Sequence, residues 1–100
     1  MDEIARRALR DIQECIAADR VTVLAHFVER MDLRGLFWMD VVEVIESPEG
    51  VRGGGPEEFG RPKWIIDGTA TDGLKIEIVC VIDREESQSS AVFVTIYWQD

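Results

Sequence analysis

The hydrophobic pattern changes its period along the chain, and this change constrains the fold more than any other feature. Up to about residue 46, apolar residues recur every three or four positions, as in amphipathic helices. After about residue 62 they alternate with other residues, as in half-buried strands. Helices that precede strands, rather than alternating with them, predict an α+β domain, in which N-terminal helices pack on a small C-terminal antiparallel sheet of three to four strands.

Three helices are predicted, over residues 3–18, 21–34 and 38–46. Gly35 suits the left-handed residue that commonly follows a helix, and Pro48 cannot continue the third one. The apolar stripe of the first helix is expected to pack on the core, and a dimer or partner interface is the alternative role for it. The predicted inward residues are Ile4, Ala8, Ile12 and Ile16, then Leu24, Phe27, Val28 and Met31, then Trp38, Val41, Val42 and Ile45.

Strands are predicted over residues 63–67, 75–82 and 92–98, with a polar hairpin loop over residues 83–90. Residues 50–61 are rich in glycine, which predicts a flexible connection before the first strand. Strict alternation along the last strand places its side chains on two faces. One face is expected to hold Val92, Val94, Ile96 and Trp98, and the other Phe93, Thr95 and Tyr97.

The charge balance argues against general attraction to polyanions. Twenty acidic residues against eleven basic ones give a formal net charge of −9, which disfavours nucleic acid and anionic membranes unless a few arginines form a local site. No apolar run approaches the roughly 20 residues of a membrane span, and the start Met1-Asp2-Glu3 lacks a basic region, so a cytoplasmic location is expected. Two separated cysteines, Cys15 and Cys80, predict buried reduced thiols, and neither a metal nor a cofactor is expected.

One row of side chains on the second predicted helix could carry chemistry. His26, Arg30 and Arg34 follow at i+4 spacing beside the apolar stripe. Guanidinium forks bind phosphate or carboxylate, and imidazole exchanges a proton near neutral pH. The spacing alone equally fits arginines that pair with nearby acids, and this structural interpretation is the commoner one.

The segment His26-x3-Arg30-Met31-x2-Arg34-Gly35-Leu36, followed by Val41, resembles the signature of a small bacterial family of unknown function. The closing Val94-Thr95-Ile96-Tyr97 is similar to that family's last strand, and the resemblance covers about residues 22–98. The family looks like the fold of RelE- and BrnT-type toxins, in which helices pack on a small antiparallel sheet.

The resemblance implies a metal-free endoribonuclease that activates a ribose 2′-hydroxyl against the adjacent phosphate. Such chemistry needs a base, a cation on the developing charge and an acid for the leaving oxygen. By resemblance, His26 would be the acid or base, Arg30 and Arg34 would clamp the phosphate, Tyr97 would position it, and Thr95 would support Tyr97. RNA and a cognate antitoxin-like protein are the implied partners.

The length suits a single domain, residues 1–100. Residues 1–20 are expected to form an N-terminal helical extension, which is also the candidate surface for a homodimer. Residues 21–100 would form the toxin-like core. Whether the protein is an enzyme is left open, because a non-catalytic interaction or regulatory module that keeps the fold is the alternative.

Overall fold

Helices cover one face of a five-stranded mixed sheet in the computed structural model, which describes residues 2–56, 59–85 and 87–99. The sheet order is β1-β5-β4-β3-β2, with β1 parallel to β5 and every other pair antiparallel. The helices are α1 (Glu3–Ala17), α2 (Ala25–Arg34) and α3 (Trp38–Glu46). The strands are β1 (Val21–Val23), β2 (Gly50–Pro56), β3 (Pro62–Thr69), β4 (Lys75–Glu85) and β5 (Gln88–Gln99).

Helix α1 packs its apolar stripe against the sheet, as the favoured interpretation required. The side chain of Asp2 accepts a hydrogen bond from the Ala5 amide at 2.7 Å and caps the first turn. The buried residues are Ala5, Ala8, Ile12 and Cys15, and Ile4 is 69% exposed, so the inward face is rotated from the predicted one. A homodimer through α1 would therefore have to use the outer face of the helix.

Helix α2 is shorter than predicted because its first residues form strand β1. The β-branched residues Val21–Val23 pair with residues 91–93 of β5, and the helix begins only at Ala25. Its buried residues are Phe27 and Met31, whereas Leu24 and Val28 are about 40% exposed, contrary to the prediction. Gly35 ends the helix with a φ of 71°, in the left-handed conformation that was expected.

Helix α3 has the predicted bounds, and its start is stabilised without a Ser or Thr cap. The Asp40 carboxylate accepts a hydrogen bond from the Phe37 amide at 2.7 Å, which satisfies one free donor of the first turn. Val41, Val42 and Ile45 are buried as predicted, and Val44 is buried as well. Trp38 is half-buried, with its ring 5.0 Å from that of Phe93.

The prediction of a flexible connection over residues 50–61 is wrong for its first half, which forms strand β2. Gly50–Pro56 pairs with β3 at the edge of the sheet, with an irregularity in register between Gly53 and Pro56. Glycine has weak strand propensity, so the sequence carries no sign of this strand. Residues 57 and 58 of the predicted connection lie outside the described part of the chain.

The C-terminal strands are longer than predicted, and the sheet has five strands rather than three to four. Strands β4 and β5 continue pairing to Glu85 and Gln88, through most of the predicted polar loop. Residue 86 of that loop is not described. The helix-before-sheet order of an α+β domain is confirmed, except for the short β1 between α1 and α2.

A β-bulge in β5 changes which side chains share a face. Val79 pairs with Thr95 and Cys80 pairs with Phe93, so Val94 is the extra residue. The strict alternation predicted for this strand is therefore wrong. Ala91, Phe93, Ile96 and Trp98 face the helices, and Val92, Thr95 and Tyr97 face the opposite way.

The sheet face opposite the helices, here called the open face, carries a groove of about 950 Å³. Val79, Val92 and Thr95 form part of its lining, and Lys63 and Tyr97 also border it. On the other face, one apolar core joins all three helices to the sheet. None of the helices in the described residues is both long and apolar enough to cross a membrane.

Candidate functional site at the edge of strand β5

The predicted row of basic side chains lies along α2, beside the outer edge of β5. His26 lies in the first turn of the helix, Arg30 one turn later, and Arg34 is its last residue. Residues four apart are neighbours on a helix surface, with about 5–6 Å between their Cβ atoms. His26 and Arg34 are exposed, and Arg30 is half-buried.

Arg30 is held against β5 by three contacts. Its Nε donates a hydrogen bond to the Ile96 carbonyl oxygen at 3.0 Å. Its guanidinium carbon lies 4.5 Å from the centroid of the Trp98 ring and 5.6 Å from that of Tyr97. Because Trp98 and Tyr97 point to opposite faces of β5, the guanidinium must lie at the edge of the strand, where it satisfies a backbone acceptor and stacks on aromatic rings.

No acidic side chain of the described residues pairs with the guanidinium of Arg30. Among residues 2–56, 59–85 and 87–99, no carboxylate lies within 4.0 Å of its guanidinium nitrogens. By contrast, Arg84 lies 2.8 Å from the Asp11 carboxylate. The hydrogen bond to Ile96 uses only Nε, so the terminal nitrogens of Arg30 keep their donors for an anion.

Tyr97 and Thr95 lie together on the open face, as the sequence predicts. Tyr97 is 51% exposed, with Arg30 against its ring. Thr95 is 8% exposed, and its hydroxyl oxygen has no hydrogen-bond partner among the described residues. A buried hydroxyl without a partner is uncommon in folded proteins and often marks a functional position.

Acidic side chains come close to Tyr97, and an arginine partly neutralises them. Glu77 is directly opposite Tyr97 in the β4–β5 pair, and its carboxylate accepts a hydrogen bond from Arg52. Arg52 also lies 3.3 Å from the Asp67 carboxylate. The hydrogen bond to Glu77 raises the pKa of Arg52, which therefore stays charged beside these acids.

The structure brings together Arg30, Tyr97 and Thr95, with His26 and Arg34 on the same helix row as Arg30. His26, Arg30 and Arg34 are all absent from the described lining of the groove. Sequence reasoning missed the contacts of Arg30 with the Trp98 ring and with the Ile96 carbonyl. Only the packing of α2 along the β5 edge reveals these two contacts, because residues 30 and 98 are far apart in sequence.

The two cysteines take no part in this site. Cys15 and Cys80 are free and fully buried, which confirms the prediction of reduced thiols. Burial raises the pKa of both thiols, so neither forms the reactive thiolate easily. The described residues contain no group of three His, Cys, Asp or Glu side chains arranged to hold a metal ion.

Residues 23–98 match the model of a protein family described as a domain of unknown function (DUF4258). The matched segment contains β1 from Val23, the α2 row, α3 and strands β2 to β5 up to Trp98, and excludes α1. Comparisons with curated proteins and with solved structures give no match. Since the match covers well over half of the chain, this protein belongs to the DUF4258 family.

Proposed function

We propose that this domain is a metal-free endoribonuclease of the RelE- and BrnT-like toxin type, acting at the α2–β5 edge. The observation that carries the proposal is the set of contacts made by Arg30. Its guanidinium is held by two aromatic rings and a backbone carbonyl, and no described carboxylate pairs with it. A fixed arginine with free terminal donors suits a phosphodiester, because its planar fork matches two phosphate oxygens.

The residues of the row support a transphosphorylation. His26 would accept the proton of the ribose 2′-hydroxyl as O2′ forms a bond to phosphorus. Arg30 and Arg34 would stabilise the negative charge on the non-bridging oxygens. The P–O5′ bond then breaks, and the imidazolium returns the proton to the leaving 5′ oxygen, which yields a 2′,3′-cyclic phosphate and a 5′-hydroxyl. Tyr97 would position the phosphate, and Thr95 would support Tyr97 from the same face.

The net charge of −9 limits how RNA would be held. Long-range attraction is absent, so binding depends on local contacts at Arg30 and on stacking against exposed aromatic side chains such as Tyr97. Low ionic strength favours the local charge-assisted contacts of Arg30 with phosphate. A cognate antitoxin-like protein is the second partner we propose, since this toxin type is paired with one.

The test is cleavage of a single-stranded RNA at low salt by the wild type, Arg30→Ala, Arg30→Lys and His26→Ala. We expect a loss of about 100-fold or more for Arg30→Ala and His26→Ala, which is typical of one positioned catalytic group. Arg30→Lys keeps the charge but loses the planar fork, so it should recover only part of the activity. Arg7→Ala is the matched control, because Arg7 is an exposed arginine on α1, paired with Glu3.

Thermal unfolding of each variant separates catalysis from stability, since Arg30→Ala also removes the bond to Ile96. Cleavage products that carry 2′,3′-cyclic phosphate identify the reaction. An inactive wild type, or Arg30→Ala and His26→Ala variants as active as Arg7→Ala, would contradict the proposal. The row would then be structural, and the domain an interaction module.

A further inference from the structure

The groove on the open face has the lining of a binding site, and Thr95 and Tyr97 lie along it. Its floor is apolar, with Val79, Val92 and Ile65 from three neighbouring strands. Its volume of about 950 Å³ is that of a small-molecule pocket. The helices cannot cover it, because they pack on the other face of the sheet.

The lining contains an ion pair between Arg61 and Asp83, and two further polar groups point to the class of ligand. The first is the hydroxyl of Thr95, which is 92% buried and has no hydrogen-bond partner in the described residues. The second is the half-buried Lys63, whose ammonium has no carboxylate within 4.0 Å in the same part of the chain. The other lysine, Lys75, lies 3.8 Å from Glu49.

The register gives the spacing of these groups. Lys63 pairs with Val81 and Thr95 pairs with Val79, from opposite sides of β4, so all four side chains share the open face. Two strand spacings and a two-residue offset place the Cα atoms of Lys63 and Thr95 roughly 12 Å apart. The apolar side chain of Val79 lies between them.

We propose that this groove binds a small organic anion with a flat apolar body. The carboxylate or sulfonate of the ligand pairs with Lys63, and its rings cover Val79. A polar atom at its far end bonds to the Thr95 hydroxyl, which is itself buried and must rotate toward the groove to meet it. Such a ligand supplies both missing partners and covers the apolar floor. The proposal does not depend on RNA cleavage.

The test uses two fluorescent probes of similar shape, the anion 8-anilinonaphthalene-1-sulfonate and the neutral N-phenyl-1-naphthylamine. The wild type is expected to bind the anion with a Kd on the order of 10–100 μM and the neutral probe more weakly. Lys63→Gln should weaken anion binding about tenfold and leave the neutral probe unchanged. Lys75→Gln is the matched control and should bind both probes like the wild type.

A second variant tests the Thr95 contact. Thr95→Val keeps the shape of the floor and removes the hydroxyl, so binding of the anion should weaken about 3- to 10-fold. Amide chemical shifts of the labelled protein should change at residues 79 and 95 upon addition of the anion. Near-UV circular dichroism must match the wild type for each variant, because loosely packed states also bind these probes.

Three results would overturn the proposal. The first is a native wild type that does not bind the anion, and the second is equal anion affinity in Lys63→Gln and the wild type. The third is a set of shift changes confined to the helical face. Loss of RNA cleavage in Arg30→Ala has no bearing on these measurements, so the two proposals fail separately.

Discussion

At the scale of single residues, side chains with the same sequence pattern have different environments in the structure. Arg30 and Arg34 lie four residues apart on one helix row, yet Arg30 is half-buried, stacked on Trp98 and bonded to a backbone carbonyl, whereas Arg34 is exposed. Thr95 and Thr22 both lie on the open face, but Thr95 is buried and Thr22 is exposed. The sequence correctly groups Thr95 with Tyr97, and it cannot show that the Thr95 hydroxyl has no partner.

Replacement of Thr95 should separate stability from binding. Thr95→Val is expected to raise the free energy of unfolding by about 1 kcal/mol, because a buried hydroxyl without a partner costs about 1–3 kcal/mol and valine has nearly the same shape. Urea denaturation measures the change. The exposed Thr22→Val is the control and should stay within about 0.5 kcal/mol of the wild type. A Thr95→Val variant less stable than the wild type would mean that the hydroxyl has a partner in solution.

At the scale of elements, the helices were more predictable than the strands. Periodic apolar residues and an end signal such as Gly35 are local, so the sequence predicts α1 and α3 to within one residue. Strand β2 was missed because its stability comes from pairing with β3 rather than from its own glycine-rich residues. The buried face of α2 was only half predicted, because α2 packs at the edge of the sheet, where Leu24 and Val28 remain exposed.

The contact between α3 and β3 depends on a glycine, Gly68, which has no side chain to occupy the interface. A Cβ atom at Gly68 would lie 2.8 Å from Cγ1 of the buried Val44, which is too close for two carbon atoms. Gly68→Ala should therefore lower the free energy of unfolding by about 1–3 kcal/mol, as overpacked substitutions do. At Gly53 the nearest atom is a Trp64 ring carbon at 3.9 Å, so Gly53→Ala should change stability by less than about 0.5 kcal/mol. Equal effects in thermal and urea unfolding of the two variants would contradict this packing.

At the scale of the whole molecule, the net charge affects stability separately from the packing of the core. The described ion pairs range from exposed, as in Arg7 with Glu3, to half-buried, as in Arg61 with Asp83, and exposed pairs contribute little to stability. The nine surplus negative charges repel one another more strongly in the folded state than in the expanded chain, and this repulsion lowers the free energy of unfolding. The sign of this surplus is evident from composition, but its arrangement around Arg30 required the structure.

Added salt should therefore stabilise this protein. Between 10 and 300 mM sodium chloride, we expect the free energy of unfolding to rise on the order of 1 kcal/mol, because screening weakens the repulsion among the surplus acids. Urea denaturation at each salt concentration gives this value, and a matched series in sucrose controls for solvent exclusion. A decrease with salt would show that the surface ion pairs outweigh the repulsion.

The extra residue in β5 gives this strand one position at which its length can change without a change of register. Val94 has no partner on β4, so the alternation of side chains between the two faces is interrupted at this residue. Phe93 therefore faces the core, and so do Ile96 and Trp98 after it. Loss of that single residue would make Phe93 and Thr95 consecutive, each still opposite its present partner on β4, and regular alternation would keep Ile96 and Trp98 in the core. A homologous chain without this residue would therefore present the same two faces with an unbroken ladder.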